Sequence, residues 1–188
     1  TYELILKNLA KDTNKTEKLL EIATGTGIIA INLSDQIAKI YAIDISTEMI
    51  KVAKEKCLQM KIKNIDFRVG DACQLDFPDK SFDTIIASNL LHILFLPDLA
   101  LSEMRRVLKD NGRIIIPTFC HGANLRSHIL SRLMGLAGFR ARTRWSVNSF
   151  KKFVQKAGFT ILKDDIIKDK ITLVYLIAEK NKTSLFLY

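Results

Sequence analysis

The stretch LEIATGTGI, residues 20–28, places two glycines and two threonines behind a glutamate at the end of an apolar run. The run KLLEIA, residues 18–23, has the length and composition of a strand that is buried on both faces. Apolar residues recur at helical spacing beyond it, which predicts a helix over residues 27–36. The stretch is therefore predicted to form the tight turn between the first strand and the first helix of an α/β fold.

Strands and helices alternate along the rest of the chain. Further strands are predicted at 39–44, 65–70, 82–88 and 113–119, and further helices at 47–60, 97–109 and 146–158. Five strand and helix units in series imply a parallel, doubly wound sheet, because right-handed crossovers place helices on both faces. The strand at 65–70 alternates apolar and polar residues, which is typical of an edge strand.

Two more strands are predicted at the end of the chain, at 159–167 and 171–179. The polar turn KDK between them is too short for a crossover, so this last pair must be antiparallel. The predicted fold is α/β, with a seven-stranded, mostly parallel sheet and an antiparallel C-terminal strand pair.

Length and composition predict one domain over residues 1–188, because 188 residues with 48% hydrophobic and 26% charged content form one ordinary core. No apolar run approaches the ~20 residues of a membrane span, and no secretory signal pattern opens the chain, so we expect a cytoplasmic location. The sequence starts at Thr1 rather than at methionine, and we expect the natural start to lie further upstream.

The cysteines and histidines show no metal-binding spacing. Cys57, Cys73 and Cys120 are odd in number and far apart, which favours free thiols in a reducing compartment. The three histidines, His92, His121 and His128, lack an H-E-x-x-H or similar arrangement. We therefore expect no metal site.

The turn at 20–28 is predicted to lie at the edge of the sheet where doubly wound folds bind ligands. Gly25 and Gly27 allow close approach to the backbone, and the following helix offers free N–H groups. Asp44 ends the second predicted strand, where an acceptor for ribose hydroxyls would stand. These features fit an adenosine-containing ligand, and two remain open: a nicotinamide or flavin dinucleotide, since GTGIIA also satisfies G-x-G-x-x-A, or S-adenosylmethionine.

The stretch EIATGTG (21–27) and four further blocks, spread over nearly the whole chain, resemble those of the class I S-adenosylmethionine-dependent methyltransferases, particularly the small-domain group that includes the ubiquinone and menaquinone methyltransferases. The family's first motif, acidic-x-Gly-x-Gly-x-Gly, stands here as EIATGTG from Glu21 to Gly27, with Ala23 in place of the first glycine. The resemblance continues in AIDIS (42–46), GDACQLDFPDKSFDTIIASNLLHIL (70–94), LSEMRRVLKDNGRIIIP (101–117) and FKKFVQKAGF (150–159).

The resemblance implies cofactor contacts after the first two strands. Glu21 would order the turn near the methionine amine, and the turn residues Ala23, Thr24, Gly25 and Gly27 would pass beneath the methionine and ribose. Asp44 would bind the ribose hydroxyls, with Ile45 and Met49 against the adenine. The alternative for the carboxylates is a helix cap or a solvated loop charge, and the alternative for Met49 is a core position.

Further contacts are implied after the third and fourth strands. Asp71 would accept from the adenine amino group, and the Ala72 backbone would meet the edge of the ring. Ser88, Asn89 and Leu90 would reach the carboxyl end of the methionine and the methyl group.

His92 is a candidate general base, because it lies just after the fourth strand, beside the implied position of methyl transfer. A base is needed only if the acceptor carries a proton of high pKa. The alternative for His92 is packing or substrate contact.

Absent motifs narrow the reaction. Residues 88–91 read SNLL rather than the Asn-Pro-Pro-aromatic box that is typical of enzymes methylating nucleobase or glutamine nitrogens. The sequence also has no Pro-Cys pair, which would supply the nucleophile for methylation at carbon 5 of cytosine. The alternative of an NAD(P)-dependent oxidoreductase is less favoured, because this sequence lacks a Tyr-x-x-x-Lys catalytic pair. A non-catalytic nucleotide-binding module is the third hypothesis. A small-molecule or amphipathic, lipid-like acceptor is favoured.

The positive charge lies in the C-terminal third. Residues 1–120 hold 16 basic and 16 acidic side chains, whereas residues 121–188 hold 13 basic and four acidic ones. The segment 121–145 is amphipathic and cationic, and we expect a cap over the pocket that also contacts an anionic membrane. Nucleic acid is the least favoured partner, since no aromatic residues interleave with the basic ones.

Overall fold

A seven-stranded sheet forms the centre of the computed structural model, which describes residues 2–15, 17–120, 142–168 and 172–181. Its strands, in chain order, are β1 (Lys18–Ile22), β2 (Lys39–Asp44), β3 (Ile65–Val69), β4 (Phe82–Ile86), β5 (Leu108–Phe119), β6 (Phe159–Lys168) and β7 (Thr172–Lys180). The order across the sheet is β3-β2-β1-β4-β5-β7-β6. The first five strands are parallel, whereas β7 pairs antiparallel with both β5 and β6. The predicted fold class, the edge position of the third strand and the antiparallel last pair are confirmed.

The helices, in chain order, are α1 (Tyr2–Asp12), α2 (Ile28–Leu33), α3 (Thr47–Gln59), α4 (Pro97–Val107) and α5 (Val147–Lys156), with a short 3-10 turn at Leu91–Ile93. Two helix starts follow local sequence signals. The Ser46 hydroxyl accepts the N–H of Met49 at the start of α3, and Pro97 occupies the first turn of α4, where its missing N–H costs nothing.

Both faces of the sheet are covered by apolar side chains. On β4, Ile85 and Ile86 point to opposite faces and are both fully buried, and the same alternation holds for Leu19 and Leu20 on β1. The central strands are therefore buried on both faces, as the sequence predicted.

The predicted boundaries differ from the structure most clearly in α2 and where α4 meets β5. Helix α4 ends at Val107 rather than at residue 109, and β5 begins at Leu108 with a register shift against β4 before Arg113. The cause is tertiary, because the N–H of Ser81 donates to the Val107 carbonyl at 2.7 Å and draws the chain into the sheet. Helix α2 has only six residues. The connection from β3 to β4 contains no helix, although five strand and helix units in series were expected.

The carboxyl ends of β1, β2 and β4 meet at one edge of the sheet, because these neighbouring strands are parallel. This edge carries the turn at residues 23–27 and the residues after β2 and β4. Most of the predicted basic cap falls on residues 121–141, which lie outside the described residues, as do His121 and His128. The single-domain assignment stays a prediction.

No helix in the described part of the chain is both long and apolar enough to cross a membrane. All three cysteines are free, with Cys57 and Cys120 buried and Cys73 partly buried. In the same described ranges, no cluster of three or more His, Cys, Asp or Glu side chains has a metal-binding arrangement.

Candidate active site

Glu21 lies at the carboxyl end of β1, with only 2% of its surface exposed. One of its oxygens, Oε2, accepts the Thr24 hydroxyl at 2.7 Å and the N–H of Ala30 at 3.0 Å. Burial raises the pKa of Glu21 to about 8, and nearby Asp44 adds to the rise, while the two hydrogen bonds oppose it. Glu21 therefore ties the turn to α2 and would ionise more readily beside a cationic ligand.

The turn that follows is built from left-handed backbone. Ala23, Gly25 and Gly27 have φ angles of 59°, 57° and 79°. The left-handed region costs an L-residue roughly 1–2 kcal/mol, so Ala23 holds a conformation that glycine adopts without strain. This explains in physical terms why a glycine stands at that position in the motif that the chain resembles.

The two glycines of the turn have different surroundings. A Cβ at Gly27 would lie 2.8 Å from Phe67 Cζ and 3.1 Å from the Ala53 Cβ, so the close packing of the turn on α3 and β3 requires glycine. A Cβ at Gly25 would meet nothing within 4 Å. Gly27 is thus a packing residue, whereas Gly25 borders open space at the sheet edge.

Asp44 joins the turn to the end of β2. Its Oδ2 accepts the N–H of Gly25 at 2.8 Å and its Oδ1 accepts the N–H of Ser46 at 3.0 Å. A carboxylate has about four acceptor positions, so Asp44 retains capacity for further donors. Beside it, Ile45 is 74% and Met49 43% exposed, so the interpretation of Met49 as a core residue is wrong.

Asp71 and Ala72 reach the same edge through the loop after β3. The N–H of Gly70 donates to the Asp44 carbonyl at 3.0 Å, which sets Asp71 one residue from this contact. Asp71 is exposed and its Oδ1 accepts the N–H of Cys73 at 2.8 Å, whereas Ala72 is buried. Asp71 thus stabilises its own loop through one oxygen while its carboxylate stays accessible from the surface.

The end of β4 contributes Ser88, Asn89 and Leu90. The Ser88 hydroxyl is buried and has no hydrogen-bond partner among the described residues, so its hydrogen-bonding capacity is unused there. Asn89 has a φ of 53°, its N–H donates to the Pro117 carbonyl at 2.8 Å, and its Oδ1 accepts the N–H of Phe119 at 3.2 Å. Asn89 therefore braces β4 against β5, a structural role that the sequence did not predict, and Leu90 is buried.

His92 lies in the 3-10 turn after β4 and is partly buried. Its carbonyl accepts the N–H groups of Arg142 at 2.9 Å and Thr143 at 3.1 Å, so it holds residues 142 and 143 beside the 3-10 turn. The role of His92 as a general base stays a prediction.

Sequence reasoning missed two further side chains. Lys56 on α3 donates from Nζ to the Thr26 hydroxyl at 2.9 Å and to the Thr26 carbonyl at 3.3 Å, which ties the turn to α3. Arg142 lies with its guanidinium carbon 3.1 Å from the centroid of the Phe95 ring. Neither contact has a local sequence signal, because each joins residues 30 or more positions apart.

A separate open groove of about 360 Å³ lies between α3 and β3. Its lining includes Lys39, Leu58 and Ile65, which lie where β2 and β3 begin and where α3 ends. This is the opposite edge of the sheet from the turn at 23–27, so the groove is distinct from the candidate site.

Comparisons with known proteins agree with this geometry. A family model described as a methyltransferase domain matches residues 13–172. The phosphatidylethanolamine N-methyltransferase of Cereibacter sphaeroides is 33% identical over 129 residues, which cover 68% of this chain and 62% of that protein. The demethylmenaquinone methyltransferase of Paenarthrobacter aurescens is 38% identical over 112 residues, which cover 60% of this chain and 42% of that protein.

The chain thus spans between 42% and 62% of the length of these two relatives. The solved structure of the YcgJ protein from Bacillus subtilis superimposes with a TM-score of 0.83 and 17% identity, covering 96% of this chain and 99% of that one. At this identity the likeness shows the shared fold. Since the family model covers most of the sequence, the chain belongs to the methyltransferase domain family.

Proposed function

We propose that this chain is an S-adenosylmethionine-dependent methyltransferase that acts on a small-molecule or lipid-like acceptor. The observation that carries the proposal is the turn at residues 23–27, which Gly25 fastens to Asp44 while leaving open space above its Cα. A ligand with a ribose would meet the remaining acceptor capacity of Asp44 there. The names of the two relatives, both methyltransferases, support the same reaction class.

The residues at the sheet edge fit this cofactor in three respects. Asp44 would hold the ribose hydroxyls, and the exposed apolar side chains of Ile45 and Met49 would lie against the adenine. Asp71 and Ala72 would meet the polar edge of the ring.

At the methionine end, the buried and unpaired hydroxyl of Ser88 calls for a polar ligand group. Leu90 and the turn residues Ala23 and Thr24 would enclose this end, with Glu21 behind the turn offering negative charge toward a cation.

S-adenosylmethionine supplies a methyl group that is already activated on a sulfonium, so the protein has to position the acceptor and exclude water. Ser88 and Leu90 would border the transferring methyl, with His92 beyond them in the 3-10 turn. If the acceptor is protonated, His92 would take the proton as a general base.

The acceptor class rests on two supports. The relatives' names refer to a phospholipid and to a quinone precursor, both of them lipid-like molecules, and residues 88–91 lack the Asn-Pro-Pro box. A cytoplasmic location is part of the proposal, supported by three cysteines that are all free.

Calorimetry with Asp44→Ala tests the cofactor. We expect the affinity for S-adenosylmethionine to fall by roughly 1.5–3 kcal/mol, because a charge-assisted hydrogen bond to the ribose is lost. Asp44→Asn keeps one acceptor and should lose less. The control is Asp66→Ala near the start of β3, which removes a partly exposed carboxylate, paired with Arg68, at the other edge of the sheet and should leave the affinity unchanged.

Unchanged affinity in a folded Asp44→Ala protein would refute the ribose assignment. Binding of NADH but not of S-adenosylhomocysteine would favour an oxidoreductase instead. Tight S-adenosylhomocysteine binding without methyl transfer to any phospholipid, quinol or small-molecule acceptor would indicate a non-catalytic module.

A further inference from the structure

Four large apolar side chains are exposed between β4 and the first turn of α4. We call them the 93–99 patch: Ile93, Phe95, Leu96 and Leu99. Phe95 is 76% and Leu96 58% exposed, although these two residues are adjacent in the chain. Apolar side chains that cluster in this way on a surface are a mark of an interaction site, whereas singly scattered ones are not.

The patch is not explained by the core beneath it. In the same stretch, Leu91 is fully buried, Leu94 packs against the core, and Ala100 and Leu101 on α4 are fully buried. The inward positions are thus already filled by apolar residues, and the outward positions carry further ones where a solvated loop would carry polar side chains.

Cationic side chains flank the patch. The guanidinium of Arg142 lies over the Phe95 ring, and the N–H of Arg142 donates to the His92 carbonyl at 2.9 Å, which fixes this strand of chain beside the patch. Arg144 is exposed two residues later, and neither arginine forms an ion pair with any residue that the structure describes. Asp98 is the one acidic residue within 91–99, and it lies in the first turn of α4, where the helix dipole favours it.

The charge pattern continues beyond the contact itself. Residues 142–163 contain six basic side chains and no acidic one. An apolar, partly aromatic surface with an unpaired cationic border complements a bilayer that carries anionic headgroups, because the apolar side chains enter the interface while the arginines stay at headgroup level.

We infer that the 93–99 patch, with Arg142 and Arg144, is a docking surface for an anionic lipid bilayer. The patch begins three residues after Leu90, so docking would bring the end of β4 against the membrane surface. This inference rests on the proposed function and extends it, since a lipid-like acceptor would enter the site directly from the bilayer.

Co-sedimentation with vesicles tests the inference. One set of vesicles contains phosphatidylcholine alone, and a second contains equal parts of phosphatidylcholine and phosphatidylglycerol. We expect wild type to bind the anionic vesicles at least tenfold more strongly, and to release them at about 1 M salt, where the screening length falls to ~3 Å.

Two double variants and a matched control separate the contributions. Phe95→Ser with Leu96→Ser should reduce binding to the anionic vesicles at least tenfold, and Arg142→Glu with Arg144→Glu should do so in a salt-dependent way. Leu58→Ser with Met60→Ser changes two equally exposed apolar residues at the other edge of the sheet and should bind like wild type.

Wild type that ignores anionic vesicles at low salt would overturn the inference, and tight RNA binding in the same experiment would assign the cationic side chains to nucleic acid. A Phe95→Ser and Leu96→Ser protein that melts at lower temperature but binds vesicles normally would show that the patch is covered by the chain itself. S-adenosylhomocysteine affinity is measured in parallel, so that failure of the proposed function, which is loss of cofactor binding, stays distinct from failure of docking.

Discussion

At the end of β1 the chain places a carboxyl group, Glu21, where water hardly reaches it. Asp44 lies near it with a like charge, and the pKa of the Tyr2 hydroxyl on α1 is raised first by burial and second by Glu21. No lysine or arginine in the described part of the chain forms an ion pair with Glu21. Glu21 is thus a buried acid without a cationic partner among the described residues, beside the space proposed for a cationic ligand.

This burial predicts a pH-dependent stability. The pKa of Glu21 is raised from 4.5 to about 8, so the folded state binds a proton that the unfolded state releases. The stabilisation of the folded state by this bound proton is fully present below pH 4.5 and is lost as the pH rises through about 8. As the pH rises from 6 to 9, we expect the unfolding free energy of Glu21→Gln to increase by roughly 2–4 kcal/mol relative to that of wild type.

Urea unfolding followed by the fluorescence of Trp145, the only tryptophan, measures this difference. The other titrating groups are common to both proteins, so they cancel in the comparison. A constant difference between the two proteins across this pH range would mean that Glu21 titrates normally. A cationic ligand should bind wild type more tightly as the pH rises, because binding expels the proton from Glu21.

At the scale of an element, the turn from β1 to α2 uses two glycines for different reasons. Both have positive φ, but only Gly27 is pressed against another part of the protein, Phe67 on β3. Gly25 faces open space and donates its N–H to Asp44. One position therefore serves packing and the other serves access.

Alanine at each position should separate these roles. Both variants incur about 1 kcal/mol of backbone strain, and Gly27→Ala adds roughly 1–3 kcal/mol because its methyl group overlaps Phe67. Gly25→Ala should instead lower S-adenosylhomocysteine affinity at least tenfold, since its methyl group enters the proposed ligand space. Urea unfolding and calorimetry measure the two effects.

Each glycine variant is the control for the other. Equal stability of the two proteins would refute the packing role of Gly27. Undiminished cofactor affinity in Gly25→Ala would mean that the turn is purely structural.

At the scale of the whole molecule, the sheet separates two apolar cores. Ile85 belongs to one core with Ile114, and Ile86 belongs to the other with Ile115, although Ile85 and Ile86 are adjacent in β4. Because side chains on opposite faces share no packing neighbours, the two cores should respond independently to small cavities.

A double-mutant cycle tests this independence. Ile85→Val and Ile86→Val should each cost about 0.5–1.5 kcal/mol of unfolding free energy, and their sum should hold within about 0.5 kcal/mol in the double variant. The matched pair is Ile85→Val with Ile114→Val, which are register partners on one face and should couple. Strong coupling between Ile85 and Ile86 would indicate that the sheet transmits strain from one core to the other.

Local sequence patterns determined much of this protein. The alternation of strands and helices, the edge character of β3, the start of α3 at Ser46 and the antiparallel last pair all follow from periodicity, capping and connection length. These properties can be predicted because each depends on residues close together in the chain. The motif from Glu21 to Gly27 likewise identified the turn and the sheet edge at which the candidate site lies.

Tertiary structure alone decided which residue does what at that edge. The bracing role of Asn89 depends on β5, the clamp of Lys56 depends on Thr26, and the packing role of Gly27 depends on Phe67. The end of α4 at Val107 depends on Ser81 in the loop before β4. Each is a contact between residues far apart in the chain, and no local pattern encodes the approach of two elements, because it is set by how both pack against the common sheet.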